Sequence, residues 1–322
     1  MKAIVITEDK RLQWSEVPEP VMKPGEVLLE IHATAINRAD LMQRAGNYPP
    51  PPEWPEWPGL EAAGVVLEAP TDSRWRPGDR GCALLGGGGY AERLALPQEL
   101  LMPVPAGLSL IEAAALPEGF ATAWLKLCLE AGLAEGDRLF VQAGASGVGV
   151  AAIQLAKELG ADVVTTVSSP EKEEFARSIG ADVVINRKRE SISTVLSRYP
   201  VDVALDCVAG PQLGAALETM APGGRWVIIA TLGGAVSEID INSFFRRGIR
   251  LIGSTLRSRP NEIKARVLAE LESRVWPAIA AGRIKVALHE VLPLSEAEAG
   301  HAILERNENL GKVVLVTPRG AV

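Results

Sequence analysis

One stretch, Asp137 to Gly160 (DRLFVQAGASGVGVAAIQLAKELG), constrains this chain more than any other. Leu139, Phe140 and Val141 make a short apolar run of strand type. Val148, Ala152, Leu155, Ala156 and Leu159 then recur at helical spacing. Between them, Ala143 to Gly149 crowd small residues into one tight turn. A strand, a glycine-rich turn and a helix, in that order, build the phosphate-binding corner of a dinucleotide fold. Small residues let the backbone approach a pyrophosphate, whose charge rests on N–H groups at the helix N-terminus. Gly144, Ala145, Ser146, Gly147, Val148 and Gly149 are therefore the candidate phosphate contacts. Gly144 and Gly149 hold the first and last places of G-x-G-x-x-G, but Ser146 stands at its second glycine. Glycine turns also make purely structural strand-to-helix links, so the reading depends on what surrounds this one.

What surrounds it is an alternation of strands and helices. Strands are expected at Asp162–Val167, Asp182–Ile185, Val201–Cys207, Gly224–Ala230 and Ile249–Ser254, with helices at Glu171–Ile179, near Ser191–Ser197 and at Pro211–Met220. With the strand at the glycine corner this makes a doubly wound, parallel, six-stranded sheet of α/β class. Gly160 and Gly180 each follow a helix and precede a strand, the place of a C′ glycine. Residues 1–118 differ in character: short strands, such as Lys2–Thr7 and the Gly25–Ile36 stretch, divided by Pro and Gly, read as a small barrel-like domain. From 260 onward that style returns. A long amphipathic helix is expected over Asn261–Ala281, with Ile263, Val267, Leu271 and Val275 on one face. A capping box at Ser295–Glu298 opens another helix, and Lys312–Val316 is a closing strand. The expected domains are thus 1–118, completed by 260–322, and an inserted nucleotide domain over 119–259.

Charge and cysteine usage narrow the function classes. The formal net charge is −7 over 322 residues, which argues against a broad nucleic-acid or anionic-membrane surface. The N-terminus reaches Glu8 too soon for a signal peptide, and nowhere do about 18 apolar residues run together, so a cytoplasmic protein with no membrane partner is expected. Three cysteines, Cys82, Cys128 and Cys207, lie far apart with no C-x-x-C. A disulfide framework or a structural zinc site is not expected from them. His32, His289 and His301 are isolated and read as surface or packed imidazoles.

Four segments carry a family likeness that spans essentially the whole chain. They are Asn37-Arg38-Ala39-Asp40-Leu41-Met42-Gln43-Arg44 with Tyr48 and Pro49 to Pro52, then Gly144 to Gly149, Ser254-Thr255-Leu256-Arg257-Ser258-Arg259, and Asn309 to Leu315. Together they resemble the zinc-independent branch of the medium-chain dehydrogenase/reductase superfamily, the quinone oxidoreductases of zeta-crystallin type, and among these the p53-inducible quinone oxidoreductases most. The resemblance implies a GroES-like β-barrel domain beside a Rossmann domain. Zinc alcohol dehydrogenases of the superfamily place catalytic ligands at the positions of Asn37, Leu60 and Glu118. An amide, an aliphatic chain and a lone carboxylate do not make a tetrahedral zinc site, so no metal is expected.

Cofactor choice is read at the end of the second parallel strand, where NAD-preferring sites carry an acid about 20 residues beyond the glycines. This strand ends Thr165-Thr166-Val167-Ser168-Ser169, with no acid until Glu171. A 2′-phosphate meets no repulsion there, and Ser168, Ser169, Lys172 and Arg187 are candidates to bind it. NADPH is therefore the expected cofactor. Relatives use a Lys and a Tyr at the positions of Lys172 and Arg187, so Arg187 departs from the pattern. The alternative for Ser169 is an N-cap before Pro170, with Lys172 a solvated first-turn residue.

By the same resemblance, Tyr48 stands at the mouth of the nicotinamide pocket, Asn37 bonds the nicotinamide ribose and Lys312 faces the pyrophosphate. Tyr48 and Asn37 are the candidate catalytic residues. Arg38 and Arg44 are weaker candidates, Asp40 reads as structural, and Cys207 as core or pocket lining without a partner base. The expected reaction is reduction of a small-molecule quinone by NADPH held in a cleft between the domains. A quinone is already electrophilic, so positioning and water exclusion suffice. The alternatives are reduction of an enal or enoyl thioester, and a non-catalytic crystallin-like or RNA-binding role. The Ile249–Ser254 strand is an edge that needs covering, and a homodimer through it is expected.

Overall fold

The computed structural model describes residues 1–320. They fall into two compact units, one made of Met1–Ala121 with Arg257 onward, the other of Thr122–Leu256. The second unit contains six parallel strands in the order Val183–Asn186, Asp162–Val167, Arg138–Val141, Val203–Asp206, Arg225–Ile228, Arg250–Gly253. Numbered along the chain this is 3-2-1-4-5-6, the order that reverses direction beside the first strand and opens a crevice at the strands' carboxyl ends. The interior strands are buried on both faces, which is why they read as runs of Val, Thr and Leu. Phe140, Val164, Ile185, Leu196 and Trp226 lie in one core, with the Phe140 and Trp226 ring centroids 5.6 Å apart.

Local chemistry sets most helix starts in this unit. The hydroxyls of Ser146, Ser169 and Ser191 accept the backbone N–H of Gly149, Lys172 and Thr194, and the Asp240 carboxylate caps Asn242 and Ser243. Pro170 sits at the first helical position after Ser169. The helix expected over Pro211–Met220 is shorter: a 3-10 turn at Gly210–Gln212 leads into Leu213–Leu217.

The first unit holds a sheet in the order Leu288–Pro293, Lys312–Val316, Glu26–Ala35, Glu61–Glu68, Arg80–Leu84, Leu101–Pro103, with Arg93–Pro97 added along Glu26–Ala35. Lys2–Ile6 and Leu12–Glu16 form a separate antiparallel pair. The ten-residue Glu26–Ala35 strand buries alternate side chains along most of its length, the period of a half-buried strand. Its core includes Ile4, Ile36, Tyr90, Leu294, Val313 and Leu315.

Two expectations fail in this unit. The long helix over Asn261–Ala281 is two helices, Asn261–Arg274 and Trp276–Ala280. Pro277 has no N–H to give and its ring crowds the preceding turn, so the first helix ends before it. Its inner face is also shifted: Val267, Leu271 and Val275 are buried, but Ile263 is 39% exposed and Lys264 is buried in its place. The capping box at Ser295–Glu298 does not form either. A 3-10 turn at Leu294–Glu296 leads into the Ala297–Glu305 helix without a side-chain cap. Glu298 instead accepts the Leu12 N–H at 2.9 Å and pairs with Arg44.

Candidate functional site

In the second unit the glycine corner folds because two positions have no room for a Cβ. One at Gly144 would lie 2.3 Å from the Thr165 hydroxyl, and one at Gly149 would lie 2.4 Å from the Ala143 carbonyl. Ser146, where the motif lacks its glycine, needs no special backbone: at φ −76° it is the N-cap of the Gly147–Glu158 helix, and its hydroxyl accepts the Gly149 N–H at 3.1 Å. The Thr166 hydroxyl holds the turn from the next strand by accepting the Ala143 N–H at 3.0 Å. The first N–H groups of this twelve-residue helix, from Gly147 and Val148, have no intrahelical acceptor, as at any helix start. A close-packed backbone with outward N–H donors at the positive end of a helix fits a pyrophosphate.

One strand over, Val167 pairs in parallel with Asn186, so Ser168 and Arg187 leave the carboxyl ends of neighbouring strands together. Arg187 is exposed, Ser168 and Lys172 are half-buried, and the Ser169 hydroxyl serves the helix that carries Lys172 by accepting the Lys172 N–H at 3.3 Å. The four residues thus gather at one strand edge, and the Glu173 carboxylate on the Lys172 helix is turned to Asn186 Nδ2 at 2.5 Å.

In the first unit Asn37 leads the Arg38–Arg44 helix and its side chain is held from three sides. Its Nδ2 donates to Ala35 O at 3.2 Å and to Glu61 Oε1 at 2.9 Å, and its Oδ1 accepts from Lys312 Nζ at 2.7 Å. Glu61 is fully buried; it pairs with Lys312 at 2.5 Å and accepts the Glu118 N–H at 2.8 Å. Lys312 adds a third bond to Ile36 O at 3.1 Å. Its three donors are thereby used inside the protein. Lys312, expected from the resemblance to face a pyrophosphate, here has its ammonium on Glu61 and on the Asn37 amide that it orients. What Asn37 keeps for a ligand is one lone pair on Oδ1, an acceptor for a single hydroxyl.

Asp40 is also fully buried. Its carboxylate accepts the Asn37 N–H at 2.7 Å, the Gly59 N–H at 2.9 Å and the Tyr90 hydroxyl at 3.3 Å. Burial pushes its pKa up to about 6, against the lowering effect of those backbone bonds. Tyr90 also meets His301 Nε2 at 3.2 Å. Burial, with Arg44 nearby, takes that imidazole down to about 3, so it is neutral. Arg38 and Arg44 do not point to a ligand. Arg38 donates to Leu304 O and Asn307, and Arg44 to Lys10 O and Glu298, stitching the helix to distant chain.

Tyr48 is half-buried on the proline loop, with its ring under the guanidinium of Arg257, 5.0 Å from Cζ to the centroid. Arg257 is the residue that sequence reasoning missed. It is only 5% exposed and donates to Tyr48 O at 2.9 Å, Gly86 O at 2.7 Å and Gln43 Oε1 at 2.6 Å. These bonds tie the tyrosine to the glycine loop and the helix. The Tyr48 hydroxyl makes no hydrogen bond among the described residues. Burial raises its pKa and Glu118 adds to this, opposed by Arg257, so it stays a protonated donor at neutral pH. The segment Ser254–Arg259 stands out in the sequence; only the fold gives its arginine a task.

Among the described residues no three His, Cys, Asp or Glu side chains gather as a metal-ligand set, and no helix is long and apolar enough to cross a membrane. Comparison with known proteins accords with this architecture. Residues 23–106 match the family described as alcohol dehydrogenase GroES-like domain, and residues 147–273 match zinc-binding dehydrogenase. The zinc in that description does not suit these residues, since Asn37 has spent its amide on neighbours and Leu60 is buried hydrocarbon. A quinone oxidoreductase-like protein 2 from Bos taurus is 31% identical, over 98% of this chain and 92% of its own. A crystal structure of an NAD-dependent alcohol dehydrogenase superposes with a TM-score of 0.84 at 30% identity, covering 98% of this chain and 99% of that one. A mycobacterial protein complexed with NADPH gives 0.86 at 28% identity, covering 98% and 100%.

Proposed function

This chain belongs to the medium-chain dehydrogenase/reductase family, of the zinc-independent quinone oxidoreductase type, and we propose that it reduces quinones with NADPH. That it is a nicotinamide-dependent oxidoreductase follows from the family; the phosphate on the cofactor and the quinone are the proposed part. The observation that carries the reading is Tyr48, an unclaimed phenol stacked on a pinned guanidinium. A flat, electrophilic acceptor needs a stacking surface and one hydrogen-bond donor, and it needs no Lewis acid.

When bound, the nicotinamide supplies a hydride equivalent. The chain's part is to hold and orient. The Gly144–Gly149 turn and the helix behind it carry the pyrophosphate, and Ser168, Ser169, Lys172 and Arg187 take the ribose 2′-phosphate. The remaining Oδ1 lone pair of Asn37 accepts from the nicotinamide ribose, with Lys312 and Glu61 fixing the amide. Tyr48 donates to an acceptor oxygen, and Arg257 keeps its ring in place. Net proton uptake comes from solvent.

The test is NADPH oxidation with 1,2-naphthoquinone, and separately with an enal, by wild type and Tyr48→Phe. Wild-type turnover of the quinone with a loss of about tenfold or more in the variant is expected, the scale of one lost donor to a developing charge. Turnover of the enal alone would replace the quinone reading with alkene reduction. Unchanged quinone turnover in the variant would reduce Tyr48 to a stacking surface.

A further inference from the structure

Asn186 ends the Val183–Asn186 strand and is 3% exposed. Its side-chain amide is fixed at both ends. Oδ1 accepts the Lys188 N–H at 3.1 Å, closing a turn on the chain that follows it. Nδ2 donates to Glu173 Oε1 at 2.5 Å. A backbone N–H only donates and a carboxylate only accepts, so a single orientation of the amide satisfies both. The bond to the carboxylate is of the stronger, charge-assisted kind. Arg189 Nη1 adds a looser contact to the same oxygen at 3.9 Å.

The pair stands among the residues assigned to the 2′-phosphate. Glu173 follows Lys172 in the Pro170–Ser178 helix, and its N–H donates to Ser169 O at 3.1 Å. Arg187 follows Asn186, and its N–H donates to Val167 O at 3.0 Å. Ser168 follows Val167, the register partner of Asn186. At this edge of a dinucleotide fold a carboxylate binds the ribose 2′-hydroxyl, and its charge opposes a 2′-phosphate. Glu173 is an acid at that edge, half-buried, and the Asn186 amide occupies it.

We propose that Asn186 determines cofactor choice: by binding the Glu173 carboxylate it withdraws an acid that would otherwise oppose the 2′-phosphate of NADPH and accept the 2′-hydroxyl of NADH. The inference rests on the NADPH reading above and deepens it. Asn186 is a positioning residue that acts through Glu173. A role in the turn alone would shape the chain at Lys188 and leave the choice between the two cofactors as it is.

The experiment measures dissociation constants of NADPH and NADH by nicotinamide fluorescence for wild type, Asn186→Ser, Glu173→Gln and the double variant. Serine keeps an oxygen to accept the Lys188 N–H but is too short to hold Glu173. The preference for NADPH should fall about tenfold in Asn186→Ser, the scale of one like charge brought close. Glu173→Gln alone should keep the preference within about twofold, and Asn186→Ser added to it should then change nothing further. A preference unmoved by Asn186→Ser, or lowered equally with and without the Glu173 carboxylate, overturns the proposal. If Asn186→Ser fails to fold, Glu173→Gln decides. An unchanged preference supports the clamp, and a rise of about tenfold overturns it, because the acid then already acts on the phosphate. Lys172→Met tests the reading beneath. If it leaves the preference unchanged, the 2′-phosphate lies elsewhere and the clamp falls with that reading. A preference lowered by Lys172→Met and untouched by Asn186→Ser overturns the clamp alone.

Discussion

Lys312→Met separates two roles for one lysine. In the structure its ammonium closes on Glu61 at 2.5 Å, on Asn37 Oδ1 at 2.7 Å and on Ile36 O at 3.1 Å, and Glu61 has no exposed surface. Removing the ammonium leaves a buried carboxylate with only the Asn37 amide and the Glu118 N–H to compensate it. Breaking a buried pair from one side costs about 3–5 kcal/mol, because the remaining charge is stranded. For a unit of this size that corresponds to roughly 6–20 °C in Tm. The double variant Lys312→Met with Glu61→Gln removes both charges and should recover at least about 2 kcal/mol of the loss. Urea unfolding at pH 7 reads the stability, and NADPH titration of the same samples reads cofactor affinity. A stability loss under about 1 kcal/mol, joined to a tenfold loss of NADPH affinity, would refute the reasoning and return Lys312 to the pyrophosphate.

Asp40 gives a pH signature. Its folded pKa of about 6 lies above the ordinary 3.8, so its stabilising contribution is fully present below 3.8 and is lost as pH rises through about 6. The unfolding free energy of wild type minus that of Asp40→Asn should therefore fall by about 3 kcal/mol over that window; a flat or rising difference contradicts the assignment. Cofactor choice is tested by Lys172→Glu, which places an acid at the proposed 2′-phosphate site. The NADPH-over-NADH ratio of kcat/KM should drop at least about tenfold, the scale of one charge-assisted contact, and an unchanged ratio would remove Lys172 from the site. The Arg250–Gly253 edge strand exposes Leu251, with Phe245 and Ile241 exposed on the preceding helix. We propose that a second copy covers this edge; sedimentation should give a dimer for wild type and a monomer for Leu251→Lys, and a monomeric wild type ends the idea.

What the chain determines by local chemistry is legible in the sequence itself. The strand, turn and helix at Arg138–Glu158, the serine caps at Ser146 and Ser169, and Gly160 and Gly180 at φ 79° and 109° all depend on neighbours a few positions away. Those signals are dense in the Thr122–Leu256 unit, and its six-stranded order follows from them together with the handedness of crossovers. Where a local signal has a competitor, it misleads. Ser295 to Glu298 spell a capping box, yet Glu298 is claimed by Leu12 and Arg44 from the far end of the sequence. Asn261 to Ala281 keep helical spacing, yet Pro277 ends the helix.

The site in the first unit belongs to the tertiary structure. Asn37 and Tyr48 can be singled out by type and family likeness, but what holds them lies elsewhere in the chain. Lys312 reaches Asn37 across 275 positions, and Arg257 reaches the Tyr48 carbonyl across 209. The sequence alone shows that these cations exist. Which carboxylate, carbonyl or empty space each one meets is decided by how the sheet brings remote segments together, and burial then sets the strength of every such contact.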